Sequence, residues 1–290
     1  MSGVHRGIMR RPVPLSTWIW SLAFAPVLFY VLTSVFEPPN SEAFHQYNSW
    51  RVTELRARAV DDAEVVILLG DSRLRYATHA DDVLSARITE AAGRPVETLR
   101  IVNNWAVYDD FASLIDALLD TQPSLIVVQF ELMSKERAQQ GRLLMGSQYL
   151  LWRFFGNGDW NPGNLNQALL QDEQRCEVLL DEDLETRRAR VFRWVNFDAN
   201  SRAAQNMQAF VAAAQARRIH VAFIQIPISS EATAGLPAPD PMRGLDILAP
   251  PIDLPDSRFC DLVHLNPQGR DAYSDWLVRT IADVFQGDTL

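Results

Sequence analysis

The sequence predicts an α/β fold: a body with a parallel sheet covered by helices on both faces, preceded by one N-terminal transmembrane helix. Three observations predict it. From residue 64 onward, short apolar runs alternate with segments of helical character. Those runs are predominantly apolar and do not alternate at every second position, the pattern of strands buried from both sides. Ahead of them, "LSTWIWSLAFAPVLFYVLTSVF" at 15–36 contains no charged side chain, and about 20 such residues suffice to cross the hydrocarbon core as a helix.

Residues 1–14 form a short N-terminus in which Arg6, Arg10 and Arg11 precede the apolar segment, while Glu37 and Glu42 follow it. The positive-inside rule then predicts a single-pass protein of the inner (cytoplasmic) membrane, with its N-terminus cytoplasmic and its body extracytoplasmic or periplasmic. A cleaved signal peptide is the rival reading. Its apolar region is ordinarily roughly 7–15 residues long, shorter than this one, and Pro26 directly follows the cleavage-like "AFA" at 23–25. A buried soluble helix would show a polar face, which this segment lacks.

Residues 37–61 read as a linker, "EPPNSE", and a leading helix with an apolar stripe through Phe44, Tyr47, Trp50, Val52, Leu55 and Val60. The body occupies 62–290. "EVVILL" is its first strand, "HADDVLSARITEAAG" a helix stopped by Gly93, and "VETLRIVN" a second strand. "YDDFASLIDALLDT" is a second helix, and "SLIVVQFEL" a third strand beginning just after Pro123. Around 140–196 the rhythm breaks into a mostly helical insertion. "SRAAQNMQAFVAAAQARR" then leads as a helix into a fourth strand, "IHVAFIQIP". Residues 229–258, rich in Pro and Ala, read as a long loop before the closing amphipathic helix "PQGRDAYSDWLVRTIADVF". Long loops at the carboxyl ends of parallel strands are where such folds place their sites.

Composition excludes some functions. A net charge of −9 argues against nucleic acid as a partner, since binding it requires a basic face that releases counterions from phosphates. The two cysteines, Cys176 and Cys260, form no CxxC or metal-type cluster, and no metal or other cofactor is implied. In an oxidising compartment they are a candidate disulfide.

The chemistry-bearing pieces stand at two strand ends. Gly70-Asp71-Ser72 follows the first strand, at the sheet edge where α/β folds place ligands. All three residue types also favour turns and helix caps, so the tripeptide alone decides little. Near the C-terminus stands "FCDLVHLNPQGR", with Asp261 three residues before His264. A serine hydroxyl becomes a useful nucleophile only when a base takes its proton, and imidazole suits that role. A carboxylate then holds the ring in the right tautomer and stabilises the imidazolium. The Asp-x-x-His spacing lets one loop deliver both. A polar turn capping the last helix through Asn266 and Pro267 is the plainer reading of the same residues, and the two are compatible.

"GDS" after the first strand and "DxxHLN" before the last helix resemble the SGNH (GDSL-type) hydrolases, α/β esterases, lipases and acetyl-transferring enzymes. The resemblance spans most of 64–286 and is anchored by those two motifs. It implies a flavodoxin-like three-layer α/β/α fold, Ser72 as nucleophile, His264 as general base and Asp261 as its orienting partner. The apolar anchor and the insertion resemble the branches that act on cell-envelope polymers. Two departures concern the oxyanion hole. The family has a glycine after the second strand and a Gly-x-Asn-Asp after the third. Here those places read "VNNWAVYDD" and "QFELMSKER", with Met133 about where the Asn stands. Asn104 and backbone N–H groups near Ser72 and Ala106 are the substitutes the sequence offers.

Arg73 and Arg75 flank the serine as candidate anion-binding groups or as partners of nearby acids such as Asp81 and Asp82. Glu131, Glu136 and Arg137 end the third strand. His79 and His220 lack a partner motif and read as structural; "WRFF" and "FRWV" in the insertion read as core. The expected function is a membrane-anchored serine esterase or O-acyltransferase acting on an acylated extracytoplasmic polysaccharide, alongside a polysaccharide assembly partner. The alternative is a non-catalytic relative that binds glycan or scaffolds an export complex. A lipase reading gains from the anchor but has no lid signature.

Overall fold

The structure is a computed structural model, describing residues 14–35, 39–58, 62–103, 106–134, 202–233, 247–248, 250 and 254–287. The N-terminal helix α1, Leu15–Val35, and the sheet body are separate compact units. Leu15, Trp18, Ile19, Trp20, Leu22, Phe24, Val27 and Leu28 of α1 are all exposed. Among the described residues, however, no helix is long and apolar enough to cross a membrane. A span over 15–36 therefore rests on the sequence.

The body begins with α2, Pro39–Arg58. The helix starts at Pro39, inside the 37–42 segment expected as a linker, because a proline suits a first-turn position where its missing N–H has no partner to lose. Phe44, Val52 and Leu55 are buried in the core, so the leading helix belongs to the body; Trp50, expected in the same stripe, is exposed, and Val60 lies outside the described residues. Arg51 ties it down by donating to the Arg100 carbonyl (2.6 Å) and pairing with Asp81.

Next come β1 (Glu64–Gly70), α3 (Ser72–Ala77), α4 (Asp81–Ala92) and β2 (Val96–Val102). They are followed by a 3-10 turn at Tyr108–Leu114, α5 (Ile115–Asp120), β3 (Leu125–Gln129) and α6 (Glu131–Ser134). After the insertion stand α7 (Arg202–Ala216), β4 (His220–Ile224), α8 (Ser230–Thr233), β5 (Ile247–Leu248) and α9 (Pro267–Gln286). The described strands form one parallel sheet in the order β2-β1-β3-β4-β5, the doubly wound order of flavodoxin-like sheets.

Alternation of side chains along each strand sends two sets of apolar groups to opposite faces. Ile67, Leu69, Ile126 and Val128 meet α2, α5 and α7 through Leu55, Leu118 and Phe210. Val66, Leu68 and Val127 meet α3, α4 and α9 through Leu74, Ile88 and Leu277. Each such side chain, fully buried, contributes about 1.5–3 kcal/mol. Three layers result; β2 alone of the long strands carries polar groups in its interior, the buried Thr98 and Arg100, bonded to Ser85 and Asp81.

Three further elements differ from the sequence expectation. The helix expected over 108–121 opens as 3-10 because Asp110 closes a tight turn, its carboxylate accepting from the Val107 N–H (3.0 Å) while its own N–H donates to the Val107 carbonyl (3.0 Å). The third strand stops at Gln129, and the chain turns into α6. Within the expected loop 229–258, Ile247–Leu248 pairs with β4 and adds the edge strand; two residues are too few to show any periodicity. The insertion lies outside the described residues.

Candidate active site

Both motifs reach the carboxyl edge of the sheet. β1 ends at Gly70, and Asp71 caps α3, its carboxylate accepting from the Arg73 N–H at 2.8 Å. That satisfies one of the orphan donors of the first turn and leaves Ser72 as the first helical residue, half-buried. The cap reading of Gly-Asp-Ser thus holds at Asp71, and the neighbouring Ser72, the candidate nucleophile, is not used up by it. Gly70 is required by close approach: a Cβ there would lie 2.5 Å from the Leu74 Cβ and 2.8 Å from Gln129 Oε1.

The second motif folds as a closed loop ahead of α9. Phe259 and Leu265 form an antiparallel bridge. The Cys260 N–H donates to the His264 carbonyl at 2.8 Å, and the Asn266 N–H to the Arg258 carbonyl at 2.9 Å. Inside the loop, Asp261 Oδ1 accepts from the backbone N–H groups of Val263 and His264, both at 2.7 Å. Asn266 caps α9 by accepting from the Gly269 N–H at 3.0 Å. The sequence therefore spends each polar side chain of "DxxHLN" on a stated bond.

These loops bring Ser72 Oγ to 2.9 Å from His264 Nε2, while His264 Nδ1 lies 2.8 Å from Asp261 Oδ2. A carboxylate only accepts, so Nδ1 carries the ring proton and Nε2 is left as the acceptor for the serine hydroxyl. Burial acts to raise the Asp261 pKa, but the hydrogen bond and charge of His264 and the two backbone donors together hold it down to about 2. The carboxylate is therefore ionised beside the imidazole near neutrality, the state that stabilises an imidazolium. Tyr76, half-buried, sets its ring 4.8 Å from the His264 ring, and the Arg75 guanidinium lies 5.7 Å from the Tyr76 centroid. Sequence reading passed over Tyr76; its position one helical turn after Ser72 was the available signal.

The remaining candidates fall elsewhere. Arg73 is 1% exposed and points inward, paired with Glu131 at 2.7 Å and donating to the Ile226 carbonyl. It is a partner of buried groups, not an anion site facing the cleft. Ala106 is fully buried, and its N–H donates to the Asn103 carbonyl at 3.3 Å, so the turn already uses that donor. Asn104 lies outside the described residues, as do Glu136 and Arg137. Asn103 is described and gives its backbone N–H to the Gly70 carbonyl at 3.2 Å. His79 pairs with Asp271 at 3.4 Å; burial, with help from Arg270 and Arg87, lowers its pKa. It stands apart from the Ser72–His264 pair in the hydrogen bonding of the described residues. Cys260 is held in a disulfide; the only other cysteine in the sequence, Cys176, lies outside the described residues.

Compared with known proteins, the sequence matches no family model and no curated protein. The chemistry is accordingly read from the motifs and the geometry above.

Proposed function

We propose that this protein is a serine esterase or O-acyltransferase of SGNH type, working through an acyl-enzyme on an acylated extracytoplasmic polysaccharide. One observation carries the proposal: the relay from Asp261 Oδ2 through His264 to Ser72 Oγ, at 2.8 and 2.9 Å, with each proton position dictated by the acceptor-only carboxylate. In the first step Ser72 Oγ attacks the ester carbonyl carbon as its proton passes to His264 Nε2. The carbonyl π-electrons move onto oxygen. When the tetrahedral intermediate collapses, the C–O bond to the alcohol breaks and the imidazolium protonates the departing oxygen. Water or a sugar hydroxyl then attacks the acyl-enzyme with His264 again taking the proton, and Ser72 leaves reprotonated. Hydrolysis and transfer share every step but the identity of that acceptor.

The Ser72 N–H, in the first turn of α3, is the backbone oxyanion donor in this proposal. The setting outside the cytoplasm, on the inner membrane, is supported by the uncharged segment 15–36 with arginines before it and glutamates after it. The Cys260 disulfide also fits a compartment where thiols are not kept reduced.

A second reading, a non-catalytic glycan-binding or scaffolding protein, is favoured by a different observation. The Ala106 N–H is already bonded, and β3 leads into Glu131, not an asparagine donor. A fluorophosphonate reporter separates the two, because it bonds only to an activated serine oxygen. The proposal expects labelling at Ser72 that is lost in Ser72→Ala. Folded protein that resists the probe would support the binding reading.

A further inference from the structure

We infer that Arg73 and Glu131 form a positioning device for the nucleophile, built beneath Ser72 out of the ends of three strands. The inference rests on Ser72 being the nucleophile of the proposed reaction.

Arg73 is the residue directly after Ser72, yet it is among the most deeply buried side chains of the protein, 1% exposed. Its guanidinium pairs with Glu131 at 2.7 Å, on the chain leaving β3, and donates to the carbonyl of Ile226, on the chain leaving β4. Two residues before Glu131, the carboxamide oxygen of Gln129 accepts from the Asp71 N–H at 2.9 Å. On the other side, the Asn103 N–H from the end of β2 holds the Gly70 carbonyl at 3.2 Å. Residues 70, 71 and 73 are thereby fastened to three different strand ends, and the residue left between them is Ser72. Tyr273 packs into the same buried group: burial first, then the Glu131 charge, raises its pKa.

Stability alone does not account for such a device. A buried ion pair is often no better than well-packed apolar residues of the same volume, because removing two charges from water offsets their attraction. Gln129 is fully buried, and its Nε2 finds no hydrogen-bond partner among the described residues, a further cost that an apolar side chain would avoid. What the polar groups add is direction. A planar guanidinium that must satisfy acceptors from β3 and β4 together fixes the start of α3, and hence where Ser72 Oγ sits relative to a base loop that arrives from elsewhere in the sequence. Reacting groups misplaced by about 1 Å lose on the order of 10²-fold in rate.

The test uses the full-length protein and a fluorophosphonate, with the saturating inactivation rate and the half-saturation concentration measured separately, and thermal melting recorded alongside. The double variant Arg73→Met/Glu131→Leu removes both charges at similar volume, so it is expected to melt near the wild-type temperature. Its saturating rate should nevertheless fall by about tenfold to a hundredfold, with half-saturation changed little, because binding of a small probe does not depend on the serine's aim. Arg73→Lys keeps a charge for Glu131 without the planar fork and should fall between the two. It also decides the matter should the double variant not fold. A wild-type saturating rate in either folded variant would show the pair to be structural only and overturn the inference. Wild-type protein that is not labelled at all sinks the hydrolase reading itself, and this inference with it.

Discussion

The two halves of the site are built in opposite ways. The base loop, Phe259–Asn266, is held by its own backbone: the Phe259–Leu265 bridge, the Cys260 to His264 bond, and the two amides that converge on Asp261. Every one of those bonds joins residues within a few positions of each other; the Ser229 N–H bond to the Leu262 carbonyl at 3.0 Å and the Cys260 disulfide then tie the shaped loop to the rest of the chain. The nucleophile turn is held by strangers. Its partners Asn103, Gln129, Glu131 and Ile226 come from the ends of β2, β3 and β4. A locally closed loop brings its own geometry wherever it is placed, whereas a turn braced from three strands is correct only when the whole sheet edge is correct. Perturbing the first should damage chemistry with little loss of fold, whereas a steric push on the second, which bears on the sheet edge, should damage both.

The largest expected effect sharpens that contrast. His264→Ala removes the base without touching the loop's backbone bonds, and should lower fluorophosphonate labelling and esterase turnover by about 10⁵- to 10⁶-fold with a thermal melt close to wild type. Asp261→Asn is expected to cost about 10⁴-fold, because the amide can donate to the ring and hold the wrong tautomer. If Asp261→Asn proved harmless while His264→Ala was severe, the carboxylate would be no more than a loop fastener. Comparable small losses in both would remove the triad from the account.

The same contrast explains what was legible in the sequence. The base loop was readable because its determinants are contiguous: Asp261, His264 and Asn266 announce a turn, an acid–base pair and a helix cap within a few residues. β1 and β3 were readable because unbroken apolar runs such as Val65–Leu69 and Leu125–Val128 have few other uses, and β2, broken by Glu97, Thr98 and Arg100, was readable from its place between two helical segments. The brace under Ser72 was not readable. Nothing local tells that Arg73, in a short polar stretch, turns inward to meet Glu131, which lies far along the chain. A polar Gln129 inside the apolar "SLIVVQFEL" was the one visible sign of it. β5 was missed because a strand of two residues carries no pattern, and the 3-10 turn at Tyr108 because a helical stripe looks alike in both helix types over so short a span.

A smaller effect is expected from two glycines, one behind each half of the site. A Cβ on Gly70 would meet the Leu74 Cβ at 2.5 Å, and one on Gly269 would meet the Arg258 carbonyl oxygen at 2.3 Å. Both contacts lie below any real separation, so each Ala variant must displace its neighbour, typically at about 1–3 kcal/mol. The consequences should differ. Gly70→Ala presses on α3 and on Gln129 at once, so melting temperature and labelling rate fall together. Gly269→Ala pushes the start of α9 away from Arg258, whose carbonyl also receives the Asn266 N–H at 2.9 Å. Because the bonds within Phe259–Leu265 survive, labelling should be impaired less than in Gly70→Ala at equal loss of stability. Equal impairment in the two variants would break the distinction between a braced turn and a self-closed loop.

The smallest effect concerns acid, and it isolates Asp261 within the self-closed loop. The group's ordinary pKa is 3.8, and in the folded protein it is held down to about 2. A depressed carboxylate pKa means that the unfolded chain binds its proton first as pH falls. The Asp261 contribution to stability is therefore fully present above about pH 4 and is lost as pH falls through about 2. Chemical denaturation of wild type and Asp261→Asn at a series of pH values between about 5 and 2 should show the difference present at about pH 4 shrinking toward pH 2. The signal is small because one loop carboxylate is followed against a whole fold, and only the difference between the two proteins reports it. A difference that instead grew between about pH 4 and pH 2 would mean that Asp261 is stabilised in its protonated form, in which case it could not be the anion that supports the His264 imidazolium.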